Sequence, residues 1–167
     1  MTLGEVTHAA RAGVHVLRYS GSVDYRLASG LEQFLEQLIH GGTVSGLVFD
    51  LTAAESLDST NLGLMARANE QLRDTGAASS VIVSSNEDID VVLRSMGFDQ
   101  SFELLPARAE APDGPAKVIA TESLSAVELR RTMLEAHRAL VRLSEAGRLE
   151  FEPVVACLER DANFDEH

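Results

Sequence analysis

The feature that most constrains the fold is a short apolar run, Gly46-Leu-Val-Phe-Asp-Leu51, which a polar helix start follows seven residues later. A run of this length without alternation is typical of a central parallel strand buried on both faces. Similar runs alternate with stretches of helical spacing along the first 105 residues. This alternation predicts an α/β fold with a mainly parallel sheet and right-handed crossovers.

Individual elements follow from periodicity and from turn residues. A helix is predicted over about 25–39, where apolar residues recur at helical spacing. Two more helices are predicted, one from about 59 to Gly76 and one over about 86–96, which Gly97 terminates. The predicted sheet has four to five strands, over 5–10, 14–19, 46–51, 79–84 and 101–105.

The helix start after the apolar run holds an acid and two hydroxyls, in the segment Leu57-Asp-Ser-Thr-Asn-Leu-Gly-Leu64. The first turn of a helix leaves N–H groups unpaired and carries partial positive charge. A hydroxyl there caps the helix, and a phosphate on that hydroxyl lies where an anion is tolerated. The segment fits a phosphorylatable switch, although capping alone explains most such patterns. Gly63 is predicted to permit close approach of the helix to the sheet.

The order of three motifs resembles the STAS domain, the fold of anti-sigma-factor antagonists. The motifs are Gly21-Ser-Val-Asp24, Asp50-Leu51 and Asp58-Ser-Thr-Asn-Leu-Gly-Leu64, and the resemblance covers about residues 3–105. In that family a partner kinase, which doubles as an anti-sigma factor, phosphorylates the hydroxyl two residues after the motif's Asp. The resemblance thus implies phosphorylation of Thr60, with Ser59 as the adjacent alternative. Thr60 replaces the usual Ser and Asn61 the usual Gly, and both departures could change kinase specificity.

The resemblance implies an anti-sigma-factor antagonist of a partner-switching pathway. The unphosphorylated protein would bind the anti-sigma factor/serine-threonine kinase, phosphorylation would release it, and a phosphatase would reset the switch. The implied docking surface contains Asp24, Asp58, Asn61 and Leu62 around an exposed Thr60. Asp24 is expected near Thr60, because both follow strands at one end of a parallel sheet. The alternative is structural: Asp24 caps the first helix and Asp58 supports the second cap.

The charge balance narrows the class of partner. Net charge is −12, and no run of Lys or Arg exceeds two residues, which argues against nucleic acid. An acidic surface favours a partner with a basic surface, while a surface that serves only solubility is the alternative. The single cysteine, Cys157, fits a reducing cytosol and is predicted to be a small buried hydrophobe. With no leader and no apolar run near the ~20 residues of a membrane helix, a cytoplasmic protein without membrane contact is expected.

The composition changes after the predicted last strand. Residues 1–107 are predicted to form the STAS-like domain and residues 108–121, rich in Pro, Gly and Ala, a linker. Residues 122–167 are predicted to add two helices. Ser125 opens the first with a capping box, Gly147 ends it, and Pro153 occupies the first turn of the second. This extension would pack on the domain, on a second copy to form a homodimer, or on a partner.

Catalytic motifs are missing from the sequence. It has no Gly-x-Ser-x-Gly elbow, no phosphate-binding Gly-x-x-x-x-Gly-Lys loop and no convincing metal-ligand spacing. The histidines are scattered and are predicted to be satisfied or solvated, at positions 8, 15, 40, 137 and 167. The chain is therefore predicted to be no enzyme and to need no cofactor or metal. Two other functions stay open: a non-phosphorylated STAS adaptor of an ABC-type lipid transport complex, and a structural dimerisation module.

Overall fold

The fold is that of a computed structural model, which describes residues 2–106, 116–120 and 125–165, with side chains as far as residue 162. Six strands form one sheet: β1 (Glu5–Arg11), β2 (Val14–Val23), β3 (Gly46–Leu57), β4 (Val81–Ser84), β5 (Glu103–Pro106) and β6 (Lys117–Val118). Their order is β5-β4-β3-β2-β1-β6. Strands β2 to β5 run parallel, whereas β1 is antiparallel to both β2 and β6. The predicted α/β class and mainly parallel sheet are confirmed.

Five α-helices accompany the sheet: α1 (Ala28–His40), α2 (Ser59–Asp74), α3 (Glu87–Ser95), α4 (Ala126–Leu143) and α5 (Glu145–Asp165). A 3-10 turn over Tyr25–Leu27 precedes α1, so the helix predicted from about 25 begins three residues later. The sheet has six strands rather than the predicted four to five, because β6, which lies within the segment predicted as a linker, pairs with β1. None of the helices described is long and apolar enough to cross a membrane.

The helices α1, α2 and α3 lie on one face of the sheet. Each step from β2 to β5 moves the same way across the sheet, and right-handed crossovers then place every connecting helix on the same side. The side chains beneath them form an aromatic core in which Tyr19 and Phe49 are fully buried. On the other face Val48 is only partly buried and the Arg18 side chain is 58% exposed. The prediction that residues 46–51 are buried on both faces is therefore wrong at Gly46 and Val48, although Asp50 on the same face is 5% exposed.

Strand β3 continues six residues beyond its predicted end and leads directly into α2. Strand β2 is also longer than predicted, and the two strands stay paired to their last residues, Val23 and Leu57. Only Asp58 separates β3 from α2. This pairing, which has register shifts between Arg18 and Ser20 and between Gly21 and Ser22, fixes the position of the α2 N-terminus relative to the end of β2.

The C-terminal extension is a helical hairpin with a tighter turn than the sequence predicts. The capping box of Ser125 and Glu128 is present at the start of α4. However, α5 begins at Glu145, because the Ser144 hydroxyl accepts a hydrogen bond from the Gly147 N–H at 2.9 Å. Gly147 is thus inside α5, where a Cβ would lie 2.2 Å from the Leu140 carbonyl oxygen. Pro153 is in the interior of α5 rather than in its first turn, so the predicted boundary between the two helices is wrong.

The hairpin packs on the domain through α4, and α5 packs chiefly on α4. At the turn between the two helices, the Ser144 hydroxyl donates to the Met96 carbonyl at 2.6 Å, which ties the hairpin to the end of α3. Phe151 on α5 is buried, whereas Cys157 is exposed, so the prediction of a buried cysteine is wrong. The sequence left three surfaces open for the extension: its own domain, a second copy or a partner. In the structure the extension packs on its own domain.

Candidate functional site

The predicted switch segment lies at the carboxyl edge of the parallel sheet. Since Val23 pairs with Leu57, the next residues, Asp24 and Asp58, leave neighbouring strands at the same edge. The backbone N–H of Asp58 also donates to the Val23 carbonyl at 3.2 Å. The two acids expected to flank the hydroxyls are therefore on adjacent strand ends.

Asp58 caps α2. Its Oδ1 accepts hydrogen bonds from the Asn61 backbone N–H at 3.0 Å and from Asn61 Nδ2 at 2.8 Å. Asn61 is fully buried, and within the described part of the chain its Oδ1 has no hydrogen-bond partner. Asp58 is therefore itself the N-cap of α2, whereas the sequence predicted a hydroxyl as the cap with Asp58 supporting it, and Asn61 is part of the cap rather than of an open surface.

Replacing Asp58 with alanine is expected to lower the free energy of unfolding by about 1 kcal/mol, because the first turn of α2 loses its cap. Urea denaturation of both proteins measures this loss. The matched control is Asp88→Ala, since Asp88 is in the first turn of α3 but the cap there is Asn86. The control should lose only a few tenths of a kcal/mol. Equal losses would show that charge, rather than the cap, stabilises these helix starts.

Asp24 is bound to a neighbouring arginine. It accepts from the Arg26 backbone N–H at 3.0 Å, which caps the 3-10 turn, and its Oδ2 lies 2.6 Å from a terminal guanidinium nitrogen of Arg26. The hydrogen bonds from this guanidinium lower the pKa of Asp24. The carboxylate is thus ionised at neutral pH and largely compensated, so Asp58 is the less neutralised acid of the edge.

Ser59 is partly buried and hydrogen-bonded to the C-terminal extension. Its Oγ lies 2.9 Å from Nε2 of His137 on α4, and His137 Nδ1 lies 2.6 Å from the Met133 carbonyl oxygen. Because a carbonyl oxygen only accepts, Nδ1 carries a proton, and in the neutral imidazole Nε2 is then the acceptor. The Ser59 hydroxyl donates to His137 in that state. His137 was predicted to be satisfied or solvated, and it is satisfied, but its contact with Ser59 joins residues distant in sequence and was not predicted.

Thr60 is buried, not exposed as predicted. Only 3% of the residue is accessible, although it stands second in α2. Gly63, three residues on, lies against α4: a Cβ at Gly63 would lie 2.2 Å from the Ala136 carbonyl oxygen of that helix. Gly63 therefore permits close approach of α4 and not, as predicted, of the sheet. The extension lies over the first turns of α2.

A buried carboxylate that the sequence analysis did not single out links the extension to α1 and α2. Glu32 on α1 is 6% exposed. Its Oε2 lies 3.3 Å from Arg67 on α2, and its Oε1 lies 3.3 Å from both Arg131 and the Thr132 hydroxyl on α4. Farther along α4 and α2, Arg142 of α4 binds Glu70 of α2 through two hydrogen bonds of 2.9 and 2.8 Å. The spacing of residues in the sequence does not predict these pairs, because each pair joins two separate helices.

Leu62 is 4% exposed and lines an open groove between the end of β3 and α3. The groove has a volume of about 170 Å³, and its apolar wall includes Leu57, Ile89 and Val92. Val92 and its neighbour Val91 are 43% and 66% exposed. Leu62 therefore supports an apolar surface beside the switch rather than projecting from it.

Two other histidines described as scattered also meet. His8 Nε2 and His15 Nδ1 lie 2.9 Å apart across β1 and β2, with the rings stacked. Burial lowers the pKa of both residues, and the neighbouring His15 lowers that of His8 further. Across residues 2–106, 116–120 and 125–165, no three His, Cys, Asp or Glu side chains are grouped so as to hold a metal ion.

A family model described as the STAS domain matches residues 6–111. The chain belongs to the STAS domain family. The matched segment contains the switch segment and helices α1 to α3, whereas α4 and α5 lie beyond it. The extension that covers α2 is therefore an addition to the STAS domain.

Relatives of this STAS protein include anti-sigma-factor antagonists. The anti-sigma-F factor antagonist RsfB of Mycobacterium tuberculosis is 28% identical over 109 residues, which cover 65% of this chain and 87% of RsfB. The crystal structure of an anti-sigma factor antagonist from Mycobacterium paratuberculosis is 27% identical, with a TM-score of 0.52, and the match covers 59% of this chain and 82% of that one.

The anti-sigma factor antagonist SpoIIAA has the same fold. Structures of its unphosphorylated form and of its phosphorylated form, the latter from Bacillus, both match with a TM-score of 0.52 at 14% identity. The matches cover 66% and 62% of this chain, and 90% and 91% of the SpoIIAA chains. At this identity the similarity concerns the fold.

Proposed function

We propose that this STAS protein is an anti-sigma-factor antagonist of a partner-switching pathway. Unphosphorylated, it binds an anti-sigma factor that is also a serine/threonine kinase, and phosphorylation at Thr60 or Ser59 releases it. The observation that carries the proposal is the pair of hydroxyls in the first turn of α2, directly after the capping acid Asp58. The names of its relatives, which are anti-sigma factor antagonists, support the same role.

The electrostatics of this helix start suit a phosphate-dependent switch. A phosphate adds a charge of about −1.5 to −2, and the N-terminus of α2 tolerates an anion. Asp58 already makes the sheet edge acidic, since Arg26 largely compensates Asp24, and the net charge of the chain is −12. A partner with a basic surface would bind the unmodified edge. The dianion would change the charge pattern that this partner recognises and would weaken its binding by repelling any acidic group opposite.

Different observations favour Thr60 and Ser59 as the residue that accepts the phosphate. Position in the family motif favours Thr60, which lies two residues after Asp58. Accessibility favours Ser59, which is partly exposed while Thr60 is 3% exposed. We place the phosphate on Thr60 and keep Ser59 as the alternative.

In this proposal the protein accepts the phosphoryl group and its partners do the chemistry. The kinase transfers the group from ATP, a phosphatase removes it, and the exchange takes place in the cytoplasm without nucleic acid or membrane. Formation of a homodimer through residues 122–167 stays a prediction, and the exposed Leu149 and Val154 of α5 are the apolar side chains it would use.

Incubation with the cognate kinase and ATP, followed by mass spectrometry, tests the proposal. The wild type should gain one phosphate, Thr60→Ala should gain none, and Ser59→Ala should be labelled like the wild type. The matched control is Thr60→Ser, which keeps a hydroxyl at the position and should be labelled. The reverse result for the two alanine variants would move the site to Ser59. A kinase that binds the protein but labels neither residue would overturn the proposal.

A further inference from the structure

The extension occupies one continuous stripe of α2. Three residues of this stripe contact α4: Ser59 binds His137, Gly63 meets Ala136, and Glu70 binds Arg142. Residues spaced by four and seven positions lie on one side of a helix, so these three form a single surface, which we call the α2 seat. The seat begins at the switch hydroxyls and continues for three turns.

We propose that the α4–α5 hairpin is a displaceable mask over the switch: it occupies the α2 seat in the resting protein, and the kinase reaches Thr60 only when the hairpin leaves. This inference rests on the proposed function and adds to it a regulatory role for the extension. It assigns the α2 seat two alternative occupants, the chain's own α4 and the basic surface of the partner.

Phosphorylation of Thr60 requires a movement that exposes it, and its neighbour Ser59 is bound to α4. A kinase must bring the hydroxyl oxygen in line with the γ-phosphate of ATP, which a 3% exposed residue does not allow. The product is equally incompatible with the docked hairpin, because a buried dianion without a charged partner is strongly disfavoured. Docking and phosphorylation therefore oppose each other, and by linkage each weakens the other by the same factor.

The contacts of the hairpin are of a kind that can open. Many are polar, such as His137 with Ser59, Arg142 with Glu70 and Arg131 with Glu32, and the closest approach involves Gly63 and Ala136. Polar interfaces within one chain resemble transient protein–protein interfaces and permit relative motion. The hairpin contributes Ala136, Ala139, Leu140 and one aromatic residue, Phe151, to the core, whereas the aromatic residues Tyr19, Phe49, Phe98 and Phe102 belong to the STAS domain.

Helix α4 also has the charge expected of a substitute for the partner. It contains four Arg and two Glu, a net charge of +2, in a chain of net charge −12. Two of these arginines, Arg131 and Arg142, bind carboxylates of α1 and α2. The anti-sigma factor is proposed to place a basic surface on the same acidic domain. Helix α4 and the anti-sigma factor would therefore compete for the α2 seat.

The test uses the full-length variant Ala136→Glu, which alters the hairpin and leaves every switch residue intact. Ala136 is fully buried against Gly63, so a glutamate there should displace α4. The matched control is Val127→Glu, the same charge change on the same helix at a residue that is 60% exposed. Hydrogen exchange measured without any partner should show faster exchange in α4, α5 and the first turn of α2, with the sheet still protected, in Ala136→Glu alone.

The second measurement is the initial rate of phosphorylation by the cognate kinase. It should rise about 10- to 1,000-fold in Ala136→Glu, because a competent minor state is typically ~0.1–10% populated and the variant makes it dominant, and it should stay at the wild-type value in Val127→Glu. A wild type labelled at Thr60 or Ser59, with no faster labelling of Ala136→Glu despite an open hairpin, would overturn the mask and leave the proposed function intact. Absence of labelling in every protein would overturn both.

A second variant guards against a folding defect in the first. Arg142→Glu places a like charge opposite Glu70 at the exposed end of the seat, where the two side chains are 46% and 41% exposed. It should raise the phosphorylation rate less than Ala136→Glu does, and the double variant Glu70→Arg/Arg142→Glu should return the rate toward the wild-type value. A rate that the double variant does not restore would contradict a mask held by this pair.

Discussion

Replacing Thr60 with glutamate is expected to reduce the affinity for the anti-sigma factor several-fold to a thousandfold, equivalent to about 1–4 kcal/mol. The substitution places a carboxylate in the first turn of α2, next to Asp58 and on the same sheet edge as Asp24. Thr60 is buried, so the longer side chain must also displace its neighbours to reach the surface. The expected loss is electrostatic and comes in addition to this local rearrangement.

Isothermal titration with the purified anti-sigma factor measures this effect, and two variants separate its causes. Thr60→Gln has the size of glutamate without its charge, and Thr60→Ala removes the hydroxyl without adding bulk. Both should bind at least as tightly as the wild type. If glutamine weakens binding as much as glutamate does, the effect is steric. If glutamate and alanine bind equally well, phosphorylation at this position does not control the partner.

Replacing Glu32 with alanine is expected to lower the free energy of unfolding by about 3 kcal/mol, the lower end of the range for breaking a buried ion pair. The side chain of Arg67 is 20% exposed and loses one of its two carboxylate partners. The fully buried Thr132 hydroxyl loses its acceptor, which adds the cost of an unpaired polar group. The variant also removes a link between α1 and α4, so the hairpin should exchange its amide hydrogens faster.

The matched control is Glu36→Ala on the same helix. Glu36 also binds Arg67, at 3.2 Å, but its side chain is 41% exposed. An exposed pair contributes under about 1 kcal/mol, so chemical denaturation should separate the two variants clearly. Similar losses for both would mean that burial does not decide the contribution of Glu32, and that the α1–α4 link is weak.

The parts of the fold that depend on local pattern could be predicted from the sequence. The strand–helix alternation gave the parallel sheet, because each element buries one periodic apolar face. The Ser125 capping box and the positive φ of Gly97 are likewise local features, set by residues close in sequence. Local signals fail where two of them conflict. Gly147 and Pro153 looked like helix boundaries, yet the Ser144 cap and the close approach to Leu140 place both inside α5.

Only the part of the candidate site that lies at the carboxyl edge of the sheet could be predicted from the sequence. The adjacency of Asp24 and Asp58 follows from the parallel pairing of β2 and β3, which the pattern implies. The burial of Thr60 does not follow, because it depends on tertiary packing around the first turn of α2, where the neighbouring Ser59 meets a helix far along the chain. No motif records that Ala136 meets Gly63 or that Arg142 meets Glu70. Such contacts depend on tertiary packing between elements that are individually unremarkable in sequence.

The missing side chain at Gly63 has a consequence for how such an appendage can arise. A surface formed by bare backbone accepts a neighbouring helix without demanding a matching set of large side chains. Small residues on the incoming helix are then the main requirement, as Ala136 illustrates. A residue larger than glycine at position 63 would collide with the Ala136 backbone, and the hairpin would have to settle elsewhere on the molecule.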